Sequence, residues 1–99
     1  MLYHDLSDIP DEFDLTITAE DIANGERVSC TRCPVALAAR RKFGDGFNIE
    51  VGAGTVFIES RDIGDDRRLM FDGLNDFPFH FDSGRDVHPT TLPLKRWNG

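Results

Sequence analysis

The chain has 99 residues and a formal net charge of −7 at pH 7, which predicts a single domain with a modest core. No apolar run reaches the roughly 18 residues that a membrane-spanning helix needs, and the first residues have neither the basic region nor the apolar core of a signal peptide. We therefore expect no membrane span, a cytoplasmic location, and two cysteine thiols rather than a secreted disulfide scaffold.

The charge is unevenly distributed along the chain. Residues 1–26 contain eight acids and no Lys or Arg, whereas residues 27–43 contain five bases and no acid. A protein with this net charge is a poor general binder of nucleic acid, because neutralising phosphates needs a basic surface. The acidic stretches could instead bind a basic surface of a partner protein, or they could only keep the chain soluble. We expect the basic stretch to pair with the acidic arm at residues 1–14.

The N-terminal part predicts an arm followed by a short helix. Residues 1–14 form an acidic arm whose apolar stripe could dock on the domain. Thr18 then predicts a helix N-cap with Asp21 at the N3 position, a variant of the capping box. Asn24 and Gly25 end this helix after one or two turns.

The strongest helix signal begins at Pro34, because proline is favoured at the first helical position. Cys33 is then the N-cap, and four residues that follow are good helix formers. Residues 40–42 place three bases in the last turn, where cations oppose the helix dipole. Gly44 is a natural terminating residue, so the sequence predicts a helix of about three turns with a narrow apolar face.

Strand signals follow this helix. Alternating or β-branched residues predict strands at 47–51 and 55–60, joined as a hairpin. A weaker strand is predicted at 67–71. At 77–81, three phenylalanines recur at period two, and the proline among them favours an edge strand.

The predicted fold class is α+β, with a short helix and one longer helix packed on a small antiparallel sheet of three to four strands. Residues 15–82 form the domain, and residues 83–99, which lack periodicity, form an extended tail. The predicted core consists of Ile17, Ile22, Val35, Ala36, Leu37, Ala39, Phe43, Ile49, Val51, Val56, Ile58, Phe79 and Phe81.

Several residues occur in an order that resembles a known set of proteins. Ile17-Thr18 is followed by Cys-Pro-Val-Ala-Leu-Ala at 33–38, by basic residues, and later by Pro-Phe-His-Phe at 78–81. Over roughly residues 15–82 this resembles small proteins encoded by bacteriophages of actinobacteria. The resemblance implies a phage origin and a similar fold, and it implies no catalytic activity.

Cys30 and Cys33 form a Cys-x-x-Cys pair at the start of the predicted helix. A thiol-redox pair is one interpretation, since a helix N-terminus lowers a thiol pKa, although proline follows the second cysteine here. Zinc would need two further ligands from His4, His80, His88 or acids. A semi-buried cap at Cys33 with Cys30 in a loop is the simpler interpretation, and we prefer an incidental disulfide to redox catalysis.

The sequence contains no catalytic constellation, so we predict a protein that is not an enzyme and has no cofactor. We expect a small phage accessory protein that binds a host or phage protein in the host cytoplasm, of the host-takeover or counter-defence type. The predicted contact surface consists of Asp5, Asp8, Asp11, Glu12, Asp14, Asp62, Asp65 and Asp66. The alternative function is a zinc-binding or thiol-redox module built on Cys30 and Cys33. Self-association through an exposed edge strand near Phe77 is a third hypothesis.

Overall fold

The computed structural model describes residue 3 and residues 5–52, 54–62 and 64–97. Four helical elements and five strands follow one another along the described residues. They are a 3-10 helix at Leu6–Asp8, β1 at Glu12–Ile17, α1 at Ala19–Asn24, α2 at Pro34–Phe43, β2 at Phe47–Val51, β3 at Thr55–Ser60, β4 at Arg68–Asp72, α3 at Phe77–Asp82 and β5 at Thr90–Arg96.

The five strands form one antiparallel sheet in the order β1-β5-β4-β3-β2. The α+β class is therefore correct, but the prediction of three to four strands is wrong. Glu12 to Asp14, assigned to the arm, belong to β1, and residues assigned to the tail form β5 and pair with β1 along its whole length. The edges of the sheet are β1 and β2.

β5 was not predicted, because it contains Pro93 and proline normally argues against a strand inside a sheet. The structure shows why it is tolerated. β5 pairs with β4 only through Lys95 and Arg96, so at Pro93 the strand has a partner only on the β1 side, where Asp14 lies opposite. The missing N–H therefore removes no bond to β4.

The predicted strand at 77–81 is wrong, because these residues form α3. Pro78 lies in the first helical turn, where its missing N–H has no intrahelical partner to lose. Three residues at period two are too few to distinguish a strand from one helical turn. The proposed edge strand near Phe77 therefore does not exist, and self-association there has no strand to use.

Helix α2 agrees with its prediction from N-cap to terminator. It begins at Pro34 with Cys33 as N-cap, and ends at Gly44, whose φ of +88° is one that glycine adopts without strain. It packs against β1 and β2. Ala36, Ala38 and Ala39 on its inner face are buried, and these small side chains let the helix lie close to the sheet.

The core lies between α2 and the sheet. Of the predicted core residues, Ile22 and Leu37 are only partly buried, and Phe79 is exposed. The other predicted residues are buried. The buried apolar residues that were not predicted lie mainly in β1, β4 and β5 and in the arm: Leu6, Ile9, Leu15, Cys33, Ala38, Phe47, Leu69, Phe71, Leu74, Leu92 and Leu94.

Helix α1 has the predicted capping box, and its N3 residue has a further role. The Thr18 hydroxyl accepts from the Asp21 N–H, and the Asp21 carboxylate accepts from the Thr18 N–H. The same carboxylate accepts from the Arg41 guanidinium at 2.5 Å, and Arg41 also donates to the Thr16 carbonyl. Asp21 and Arg41 together therefore join β1, α1 and α2.

Candidate functional site

An open groove of about 580 Å³ lies between the loop that precedes α2, the end of β2, and α3. Its lining is mainly apolar and includes Val28, Val51 and Phe79 together with both cysteines. Val28 is 83% exposed and Phe79 is 62% exposed. These are two of the three large apolar side chains that the described part of the chain leaves exposed, and they flank the same groove.

The loop at residues 25–33, which we call the 25–33 loop, is held in shape by its own hydrogen bonds. The Glu26 N–H donates to the Arg32 carbonyl at 2.8 Å and closes the loop. The Arg32 N–H donates to the Ser29 hydroxyl at 3.0 Å. At its start, a Cβ on Gly25 would lie 2.6 Å from the Pro34 ring, so the residue type at this position is set by the close approach of α2.

The 25–33 loop is also tied to both other walls of the groove. The Val51 N–H at the end of β2 donates to the Cys30 carbonyl at 2.7 Å. On the other side, the Val28 N–H donates to the Asp82 carboxylate of α3 at 2.8 Å. The 25–33 loop is therefore hydrogen-bonded to each of the other two walls, and it holds the three walls of the groove together.

The backbone of the groove is unusual. Two non-glycine residues have positive φ in the described part of the chain, Val28 at +54° and Asn75 at +55°, and both line the groove. Asparagine adopts this conformation readily, whereas a β-branched residue there is a genuine outlier. Strain of this kind persists where the surrounding structure imposes it, and it concentrates at binding sites. Val28 therefore combines an exposed apolar side chain, a strained backbone and a position in the groove.

We expect Val28→Asn to raise the free energy of unfolding by about 1 kcal/mol, because asparagine removes the left-handed strain while the 25–33 loop keeps its backbone bonds. Urea denaturation of the two proteins measures this. Val87→Asn is the matched control, since Val87 has no positive φ, and it should give no gain. If Val28→Asn is no more stable than the wild type, the strain at Val28 is not significant.

The two cysteines differ in their surroundings. Cys30 is exposed and Cys33 is buried, and the two are free thiols rather than a disulfide. Burial raises the pKa of the Cys33 thiol, and this effect outweighs the lowering by the Ala36 and Val35 N–H groups at the start of α2. An attacking thiol needs the opposite shift, so these surroundings do not activate Cys33.

The zinc alternative finds no support in the geometry. Among the residues that the structure describes, no group of three or more His, Cys, Asp or Glu side chains converges as a metal site would require. His80 lies on α3, with its Nδ1 3.0 Å from an Arg85 guanidinium nitrogen. His88 is exposed between α3 and β5, and His4 lies outside the described residues.

The structure brings together two of the eight predicted acids. One lies in the N-terminal arm, and the other lies in the acidic turn before β4, which holds Asp62, Asp65 and Asp66. Asp5 of the arm and Asp65 of the turn both contact Arg67 Nη2, at 2.9 and 2.8 Å. Hydrogen bonding to Arg67 lowers the pKa of Asp65 to about 2. The hydrogen bond from Ser7, with lesser help from Leu6 and Arg67, lowers the pKa of Asp5. These carboxylates are partly neutralised within the chain and are poor candidates for a partner surface.

Two further predicted acids pair across the edge of the sheet. Asp11 lies 3.2 Å from the Arg96 guanidinium, and Glu12 lies 3.5 Å from Lys95 Nζ. The arm therefore pairs with bases of β5 and with Arg67. Arg41 and Arg32 of the basic stretch 27–43 pair with Asp21 and Glu26, which lie outside the arm.

The remaining predicted acids are distributed over separate places. Asp8 completes a capping box on the 3-10 helix by accepting the Asp5 N–H at 3.0 Å. Asp14 is exposed on β1, and Asp62 and Asp66 are exposed in the turn before β4. None of the eight predicted acids lines the apolar groove.

Sequence reasoning missed the residues that mark the groove. Phe79 was assigned to the core and Val28 was given no role. The dipeptide Phe77-Pro78 could have indicated the exposure of Phe79. Proline within the first turn predicts a helix start, and in a helix the three phenylalanines point in different directions. No local pattern identifies Val28, whose exposure depends on how the 25–33 loop folds.

Comparison with protein-family models, with curated proteins and with solved structures finds no match for this chain. Within the described residues, no helix has both the length and the apolar character required to cross a membrane.

Proposed function

We propose that this chain is a small binding protein that attaches to another protein through the apolar groove between the 25–33 loop and α3. The observation that carries the proposal is the exposure of Val28 and Phe79 on either side of the groove. Large apolar side chains that stay exposed together mark interaction sites. The hydrogen bonds from the 25–33 loop to β2 and α3 support the same conclusion, because a pre-organised surface loses less entropy on binding.

The proposed partner is a host or phage protein, and the proposed setting is the host cytoplasm, as the resemblance to actinobacteriophage proteins implies. A role in host takeover or counter-defence fits a small protein that acts by binding rather than by catalysis. The acidic surfaces have a secondary place in this proposal. Asp14, Asp62 and Asp66 could add long-range attraction to a basic partner, whereas the paired acids contribute less.

The test is partner capture by the tagged chain from a nuclease-treated actinobacterial lysate, with the wild type compared to Phe79→Asp. Because Phe79 is exposed in the first turn of α3, where a carboxylate is favourable, we expect the variant to fold normally, as judged by circular dichroism. We expect its capture of the wild-type partner to fall by at least about tenfold, since hot-spot aromatic residues at interfaces exceed 2 kcal/mol.

Two variants control this experiment. Trp97→Asp adds the same charge at the other large exposed apolar side chain of the described region, away from the groove, and it should leave capture unchanged. Asp62→Asn with Asp66→Asn tests the acidic turn. If the turn variant abolishes capture and Phe79→Asp does not, the groove is not the binding surface.

A further inference from the structure

The polar residues of the groove select its ligand as much as the apolar ones do. Two carboxylates, Asp76 and Asp82, are part of the lining at the two ends of α3. Within the described residues, the lining contains no Lys or Arg. An apolar surface whose charged lining residues are both acids attracts a ligand that carries apolar and cationic groups together.

The nearest cations have partners within the chain. The Arg85 guanidinium lies 5.5 Å from the centre of the Phe79 ring and bonds His80. Arg32 pairs with Glu26 at 3.4 Å, and Arg27 lies against Gly84. Asp82 uses one carboxylate oxygen for the Val28 N–H, which leaves its second oxygen for a ligand. The charge of Asp82 also raises the pKa of the Cys33 thiol, after the larger effect of burial, so its field extends into the groove.

We infer that the groove binds a segment of a partner protein in which a large apolar side chain is flanked by Lys or Arg. The apolar side chain lies between Val28 and Phe79, and the flanking cations lie against Asp76 and Asp82. This inference rests on the proposed function and adds the chemical class of the bound segment. The free thiol of Cys30 lies in the same groove, so a bound segment covers it.

Cys30 provides a direct probe that needs no substitution. It is exposed, whereas Cys33 is buried with a raised pKa, so iodoacetamide should alkylate Cys30 first. Mass spectrometry of the digested protein separates the two sites. We would measure the rate of Cys30 alkylation with three synthetic peptides of equal length: a Leu-Trp pair flanked by lysines, the same pair flanked by glutamates, and a Ser-Ser pair flanked by lysines.

We expect only the peptide with lysines and Leu-Trp to slow alkylation of Cys30 in a saturable way. In the double variant Asp76→Asn with Asp82→Asn, its apparent Kd should rise about three- to tenfold, as expected for two exposed ion pairs. Asparagine at 82 keeps an acceptor for the Val28 N–H. Glu20→Gln with Asp45→Asn removes the same charge at exposed positions outside the groove lining and should leave the Kd unchanged.

The inference is overturned if the glutamate peptide protects Cys30 as well as the lysine peptide, if no peptide protects it, or if the Asp76 and Asp82 variant binds as the wild type does. These results are distinct from those that test the proposed function. Partner capture that depends on Phe79, together with peptides that show no preference for lysine, would remove the inference and leave the proposed function standing. Capture that does not depend on Phe79 would remove the proposed function whatever the peptides show.

Discussion

Gly73→Ala is expected to lower the free energy of unfolding by about 3 to 5 kcal/mol, because strain and overpacking act together at this position. Gly73 has a φ of +129°, which side chains rarely adopt, and a Cβ there would lie 2.4 Å from the Pro93 carbonyl oxygen of β5. Neither the backbone of β5 nor the buried Leu94 beside it can move away cheaply. The close approach of β4 and β5 therefore depends on the absence of a side chain at residue 73.

Urea denaturation followed by circular dichroism measures this effect. Gly46→Ala is the matched control, since Gly46 has no positive φ and its Cβ would meet nothing within 4 Å. We expect this control to change the free energy of unfolding by no more than about 1 kcal/mol. Equal effects of the two substitutions would show that β5 does not pack against Gly73 as described.

Asp21→Ala is expected to destabilise the chain by about 2 to 3 kcal/mol at neutral pH. Asp21 is 5% exposed, and its removal leaves the Thr18 N–H without its acceptor and Arg41 without its carboxylate partner. The expected loss is smaller than for a fully buried pair, because Arg41 is half exposed and keeps its bond to the Thr16 carbonyl. Glu20→Ala, on the exposed side of the same helical turn, should change stability by less than about 0.5 kcal/mol.

The same substitution should change the acid limb of the stability curve. Burial raises the pKa of Asp21, but the bonds from Arg41 and Thr18 outweigh it and hold the pKa below the ordinary value of 3.8. A lowered carboxyl pKa contributes stability above the unfolded-state value, and this is lost as the pH falls through the folded-state value. The difference between wild type and Asp21→Ala should therefore be constant down to about pH 4 and shrink below it. A difference that does not shrink in acid would exclude a charged Asp21 as its source.

Elements with consistent local signals could be predicted from the sequence. For α2, proline at the start, alanines within and glycine at the end all favour the same helix, and the structure contains it. The capping box of Thr18 and Asp21 is equally local and is present. Apolar and polar residues alternate along β2 and β3, and the two strands pair as the predicted hairpin. In these cases residues that are close together in the sequence determine the local conformation.

The elements that were missed depend on contacts between distant residues. β5 is a strand because β1 lies beside it, although Pro93 opposes strand formation locally. The groove depends on two such contacts, from Val28 to Asp82 and from Val51 to Cys30. The Asp82 contact spans 54 residues of the chain, and no pattern within the 25–33 loop predicts it. For the same reason the sequence could not show which of the eight predicted acids form ion pairs within the chain.

The most direct measurement is photocrosslinking in the cell from the groove itself. A photoreactive phenylalanine analogue at Phe79 keeps an exposed aromatic side chain on α3, and the same analogue at Asp66 reports on the acidic turn. We predict a single partner-sized adduct from position 79 and none from position 66. An adduct from position 66 without one from position 79 would show that the acidic turn, and not the groove, contacts the partner, and would contradict the proposed function.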